Sequence, residues 1–208
     1  MSKKSWIKRH INDEYVKRSQ KDGYPSRAAY KLLALQESYT LLRPGMVVLD
    51  LGAAPGGWSM VAADCVGRKG RVYAVDLLEM EPIERVKIIQ GDCFDEALSK
   101  QLAEAEPQGL DLVISDMAPN LTGHRSVDQP RSMAVVEMAA TLASELLKPG
   151  GTFLAKVFQG EGIDEFRMDM KKQYKKVTMR KPPASRSSSR EFYLLATGFL
   201  GHGDSKQG

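Results

Sequence analysis

Asp50-Leu51-Gly52-Ala53-Ala54-Pro55-Gly56-Gly57-Trp58 is the stretch on which the fold turns. It follows the apolar run Met46-Val47-Val48-Leu49 and precedes a helix predicted over 59–66. A buried strand that ends in a glycine-rich turn and opens a helix is a nucleotide-binding arrangement. Glycines admit close approach of the backbone to a ligand, and the helix N-terminus offers unpaired N–H groups. The spelling G-A-A-P-G-G departs from the G-x-G-x-x-G of dinucleotide folds, which counts against an NAD site.

Working outward, strands and helices alternate. Helices are predicted over 6–22 and 27–39, the second capped by Ser26. Strands are predicted over 46–51, 71–76, 86–90, 110–115, 152–158, 175–180 and 191–197. Further helices fall at 94–105, 130–147 and 163–174, and Lys148-Pro149-Gly150-Gly151 reads as a turn. This is an α/β pattern, a mostly parallel seven-stranded sheet with helices on both faces. No helix joins the last two strands, so the final one is expected to be antiparallel. Residues 1–200 are expected to form one domain, and 201–208 a flexible tail.

At 208 residues, 42% hydrophobic and 27% charged, the composition is that of an ordinary globular protein. Cys65 and Cys93 lack paired spacing, and His10, His124 and His202 are scattered, so neither a disulfide framework nor a metal site is signalled. With no apolar signal segment or spanning run, a cytoplasmic protein without membrane contact is expected. Charge is segregated within a net +4. Residues 1–31 hold nine Lys/Arg against three acids, and 171–190 hold eight with no acid. Two basic segments on an otherwise acidic body read as a docking surface for a polyanion. Lys3, Lys4, Lys8, Arg9, Lys17, Arg18, Lys21 and Arg27 would flank the site from one side. Lys171, Lys172, Lys175, Lys176, Arg180 and Lys181, with the 185–190 loop, would flank it from the other. Trp6, Tyr15, Tyr24 and Tyr30 are either core residues or stacking platforms for a base.

In an open α/β sheet the ligand lies outside the carboxyl ends of the strands. Gly52, Gly56 and Gly57 form the turn there, and Trp58 is placed to wall the pocket. Asp76 ends the second strand, where an acid accepts from ribose hydroxyls. Asp92 follows the third strand and is placed for an exocyclic adenine amine; Asp116 ends the fourth, and Asp50 supports the turn. Strand-end Asp50, the proline in the turn and these acids together look like the S-adenosylmethionine (SAM) pocket of a class I methyltransferase with a Rossmann-like fold.

Four boxes carry a closer likeness: DLGAAPGGWS at 50–59, SDMAPN at 115–120, KVFQGEG at 156–162 and SREFYLLATG at 189–198. They occur in the order found in the FtsJ/RrmJ (RlmE) family of RNA ribose 2′-O-methyltransferases, which the chain resembles from about residue 5 to 198. The resemblance implies a Lys-Asp-Lys-Glu catalytic set, matched here by Lys31, Asp116, Lys156 and Glu191. It further implies SAM as methyl donor, no metal, and a uridine in the A-loop of 23S ribosomal RNA, on the large ribosomal subunit, as acceptor. The N-terminal helices within 1–40 would contribute Lys31 and RNA contacts, and a monomer is expected.

The chemistry suits those residue types. A protonated ribose hydroxyl is a poor nucleophile, so a base or a positive field at its oxygen should help. Lys156 is the candidate proton acceptor; a second ammonium, Lys31, would favour its neutral form, and Asp116 and Glu191 would oppose that. Base and electrostatic steer both remain open for Lys156. A SAM methyltransferase of small molecules, a non-catalytic RNA-binding assembly factor, and a methyltransferase of transfer RNA or a messenger cap are the competing readings.

Overall fold

The structure is a computed structural model that describes residues 14–186 and 189–201. Two helices, α1 (Glu14–Asp22) and α2 (Ala29–Tyr39), lead into β1 (Val47–Leu51) and α3 (Gly57–Val66). There follow β2 (Arg71–Asp76), β3 (Val86–Gln90), α4 (Glu96–Ala105) and β4 (Leu110–Ser115). The chain continues through α5 (Arg125–Leu146), β5 (Leu147–Phe158), α6 (Ile163–Gln173), β6 (Tyr174–Arg180) and β7 (Glu191–Phe199). The seven strands form one sheet in the order β3-β2-β1-β4-β5-β7-β6. β3 through β5 pair in parallel; β7 is antiparallel to both β5 and β6. The α/β sheet, its number of strands and its antiparallel last strand are as the sequence predicts.

Side chains alternate across each strand, so each face collects its own core. On one face Leu49, Leu51, Val113, Phe153 and Ala155 pack with α4, α5 and α6. On the other, Val48, Leu112, Ile114, Leu154 and Tyr193 pack with α2 and α3. Each fully buried large apolar side chain stabilises this sandwich by about 1.5–3 kcal/mol. The alternation sends Asp50 and Lys156 toward the α2/α3 face, where Ser59 of α3 bonds Asp50 and α2 carries Lys31.

Beyond shifts of one or two residues at element ends, three features differ from the sequence reading, and part of it lies outside the described residues. Of the helix expected over 6–22, residues 6–13 lie outside the described residues, as do Lys3, Lys4, Lys8, Arg9 and most of the tail. Ser26 does not cap α2, whose N-cap is Ala28; its Oγ instead accepts from the Ala28 N–H at 3.3 Å, steadying the preceding turn. The helix expected from Pro130 begins at Arg125, with Pro130 inside it. There Asp128 accepts from the N–H groups of Thr122 (2.7 Å) and Gly123 (2.9 Å), binding the incoming loop to the helix. Finally, Lys148-Pro149-Gly150-Gly151 belongs to β5, whose pairing shifts register between Leu110 and Leu112. Turn-forming residues there make a strand irregularity rather than a separate turn.

Candidate active site

The glycine turn is tied to the end of β2. The N–H groups of Gly52 and Ala53 donate to the Val75 carbonyl at 2.9 and 3.1 Å, and that of Ala54 to Asp76 Oδ2 at 2.8 Å. Gly52 has φ +68°, and a Cβ there would run into Met117; Gly56, the N-cap of α3, has φ +103°. Both positions need glycine for conformation, and Gly52 also for close approach. The turn points the N-terminus of α3, with its unpaired N–H groups, toward the strand ends.

Beside the turn lies a cavity of ≈ 340 Å³, lined by Gly52, Asp76, Leu77, Asp92, Phe94 and Asp116 among others. That is within the range of about 300–1,000 Å³ usual for small-molecule sites. Asp76 Oδ1 accepts from the Leu78 N–H at 2.9 Å and Asp92 Oδ1 from that of Phe94 at 3.0 Å. A carboxylate has about four lone-pair sites, so each acid keeps acceptor capacity toward the cavity. Burial, then the Asp92 charge, pushes the neighbouring Cys93 thiol up to about 12, so it stays protonated. The structure thus gathers Gly52, Asp76, Asp92 and Asp116 on one cavity.

Trp58 does not wall that cavity. It is buried beneath the turn, its Nε1–H donating to the Ala28 carbonyl at 2.8 Å and its ring 5.6 Å from that of Tyr193. With Gly57 and Asp50 it borders a smaller cavity of ≈ 70 Å³ on the other side of Gly52 and Asp116. The bulky indole packs where α3 meets the sheet, a position an apolar core offers and a solvent-facing wall does not. Asp50 is fully buried and accepts from Ser59 Oγ at 2.6 Å, linking β1 to α3. Burial, and then the charges of Asp116 and Asp76, push its carboxyl up to about 7 against the Ser59 hydrogen bond.

The four residues of the Lys-Asp-Lys-Glu set converge from four distant parts of the chain. Lys156 Nζ lies 3.0 Å from Asp116 Oδ1 and also donates to the Asp116 carbonyl. Lys31 Nζ lies 3.0 Å from Glu191 Oε1 and 3.8 Å from Asp116 Oδ1. The antiparallel register sets Lys156 opposite Tyr193 and Phe158 opposite Glu191. The side chains of Lys31 and Lys156 are 11% and 10% exposed, so these pairs act in a partly dry site rather than as surface ion pairs. Burial alone would raise the Glu191 carboxyl; Lys31, with help from Lys156, outweighs it and holds the group below its usual range.

Tyr193, which the sequence reading passed over, completes the cluster. Its hydroxyl donates to Asp116 Oδ1 at 2.5 Å. Burial, reinforced by the Asp116 and Glu191 charges, raises this phenol well above its ordinary value, so it remains a neutral donor. The signal was available: Glu191 and Tyr193 are two residues apart on a strand and so share a face.

Strand direction corrects the expected basic surface. β6 runs with β1, so Arg180 and Lys181 stand at the carboxyl end of the sheet, near the cluster. α6 runs the other way, and its last-turn residues Lys171 and Lys172 lie at the opposite end with Lys175 and Lys176. On the near side, the Arg27 guanidinium donates to the Ala184 carbonyl, which ties the β6–β7 loop to the turn before α2, and Lys181 Nζ donates to the Ser189 carbonyl at 2.7 Å within that loop. Tyr15 and Tyr24 pack on the buried Tyr30 at ring distances of 5.5 and 5.8 Å, so these aromatics form a packed group. Trp6 lies outside the described residues. Among the described residues no group of three His, Cys, Asp or Glu could hold a metal ion, and no helix is long and apolar enough to cross a membrane.

Comparison with known proteins adds a lineage. Residues 24–199 match the family model of FtsJ-like methyltransferases. A Pseudomonas fluorescens protein named ribosomal RNA large subunit methyltransferase E is 54% identical over 200 residues, 96% of each chain. A protein of the same name from Alkalilimnicola ehrlichii is 55% identical over 195 residues, 93% of each chain. Among solved structures, a Plasmodium falciparum protein described as a ribosomal RNA methyltransferase superposes with TM-score 0.77 at 28% identity, over 86% of this chain and 100% of that one.

Proposed function

The chain belongs to the FtsJ-like methyltransferase family, and on that premise we propose that it methylates the ribose 2′-hydroxyl of a uridine in the A-loop of 23S ribosomal RNA during maturation of the large subunit. The observation that carries the proposal is the Lys31–Asp116–Lys156–Glu191 cluster at the rim of the strand-end cavity. SAM is the donor the cavity suits: two carboxylates with remaining acceptor sites for ribose hydroxyls and an adenine amine, a helix N-terminus, and a glycine that admits close approach. When bound, SAM supplies an electrophilic methyl group on a sulfonium.

The acceptor oxygen would sit against Lys156 and Asp116. Asp116, fixed by Tyr193 and Lys156, orients the hydroxyl. Lys156 would take its proton or stabilise the developing charge while the methyl carbon exchanges its bond to the sulfonium sulfur for one to the ribose oxygen, the sulfur leaving as a neutral thioether. Lys31 and Glu191 act one step back: their 3.0 Å ion pair keeps Lys31 beside Asp116 and so holds the constellation in place. Residues 1–200 act as one methyltransferase unit, with the helices of 1–40 and the carboxyl-end basic residues gripping RNA phosphates. We place the enzyme in the cytoplasm, as a monomer.

The test is transfer of labelled methyl groups from SAM to unmodified large subunits, free ribosomal RNA and transfer RNA, with the modified nucleoside mapped. Label on a 2′-O-methyluridine of the 23S A-loop is the expected result. Label on transfer RNA alone would refute the proposal.

A further inference from the structure

A second cavity, of ≈ 220 Å³, lies beside the end of β5 and the start of β7. Leu121, Asp128, Gln129, Phe158, Ser189 and Arg190 line it. Phe158 follows Lys156 by two strand residues, roughly 6–7 Å along β5, and Arg190 immediately precedes Glu191. The cavity therefore begins about one nucleoside's reach from the amine at the reacting oxygen. It is also smaller than the roughly 300 Å³ at which drug-sized sites begin, a size that favours a single ring.

Its walls have defined hydrogen-bonding character. Gln129 Nε2 donates to the Glu161 carbonyl at 2.9 Å and to the Phe158 carbonyl at 3.3 Å, engaging both amide hydrogens. A Cβ at Gly160 would run into this amide, so the glycine leaves room for it. The amide cannot turn without losing both bonds, and its Oε1 remains an acceptor that is buried and has no partner among the described residues. Native structures satisfy nearly all such groups, so an exception points to a missing donor. Arg190 Nη1 donates to the Gln159 carbonyl at 3.4 Å, and its fork carries further N–H donors. Phe158 and Leu121 supply apolar surface, and Leu121 is 57% exposed.

We propose that this cavity receives the base of the acceptor nucleotide and that Gln129 and Arg190 select uracil; the inference rests on the RNA reading above. Uracil presents an N–H donor at N3 between two carbonyl oxygens. Its N3–H meets the fixed Gln129 acceptor, and a carbonyl meets the Arg190 guanidinium. Cytosine presents a bare N3 in the same place, and two acceptors would then face each other without a proton. A site built around one such hydrogen bond rejects the base that lacks it.

Binding and transfer separate the inference from the reading beneath it. A short fluorescent oligocytidine with one central uridine, and its all-cytidine counterpart, are titrated against the SAM-loaded protein by anisotropy. The wild type is expected to prefer the uridine strand roughly tenfold, the effect of one such bond. Arg190→Met and Gln129→Leu are expected to erase the preference while SAM affinity, read by calorimetry, stays the same. Arg190 is exposed, so its variant decides the matter if Gln129→Leu does not fold. A wild type that binds both strands alike, or an Arg190→Met protein that keeps the preference, overturns the pocket. Transfer to large subunits, measured in parallel, reports on the proposed function independently of either result.

Discussion

At the residue scale, what distinguishes Lys156 from an ordinary strand lysine is that both of its partners among the described residues belong to Asp116, through side chain and carbonyl. Removing it should leave the cofactor cavity intact, since Lys156 does not line it. Lys156→Ala is therefore expected to lower methyl transfer by roughly 100-fold or more with SAM binding unchanged by calorimetry; near-normal turnover would sink the assignment. Asp50 offers a test of a different kind. Its carboxyl, pushed up to about 7 from 3.8, binds a proton in the folded state that the unfolded chain has already released. A raised folded value makes stability fall as pH rises through that window, and level off above it. Asp50→Asn, which still accepts from Ser59, escapes this. Its melting temperature relative to the parent should climb between about pH 4 and pH 7 and then stay flat; parallel curves across that range would show that Asp50 is not the group responsible.

At the element scale, the β1–α3 turn depends on conformations that only glycine adopts cheaply. Gly52→Ala combines a positive φ with a collision against Met117, and is expected to cost at least about 1 kcal/mol of stability and to weaken SAM binding; denaturant titration and calorimetry measure the two effects separately. The same turn was the most legible part of the sequence, because strand, turn residues and helix agree there. The start of α5 was illegible for the opposite reason. Pro130 reads as a first helical residue, yet the Asp128 carboxylate gathers the Thr122–Gly123 loop onto an earlier turn, an interaction no local pattern announces. Lys148-Pro149-Gly150-Gly151 likewise has turn composition, and only pairing with β4 makes it strand. Tyr193 was hidden because an aromatic in a buried strand reads as core, and most of its surface is core.

At the scale of the molecule, charge counting found two basic segments but could not orient them, because strand direction is a property of the sheet. Half of the second segment faces away from the site. Lys181→Gln with Arg186→Gln should weaken binding of A-loop RNA and reduce the slope of log affinity against log salt by up to about one or two. Lys171→Gln with Lys175→Gln should change neither. Filter binding across a salt series distinguishes the pairs, and equal effects would mean that RNA grips both ends of the sheet. The four positions of the Lys-Asp-Lys-Glu set were legible through the family motifs, whereas their separations in space were not, since they lie on α2, β5, β7 and the end of β4.

β7 is last in the chain yet interior to the sheet, between β5 and β6. During synthesis, therefore, β6 emerges before the strand that joins it to the rest, and its edge has no neighbour until β7 is made. Glu191 and Tyr193 arrive with that same strand. The residues that line the strand-end cavity all lie within the first 135 of the chain, whereas the Lys31–Asp116–Lys156–Glu191 cluster lacks a member until the last strand is made. Closing the sheet and assembling the Lys31–Asp116–Lys156–Glu191 cluster thus depend on one and the same strand.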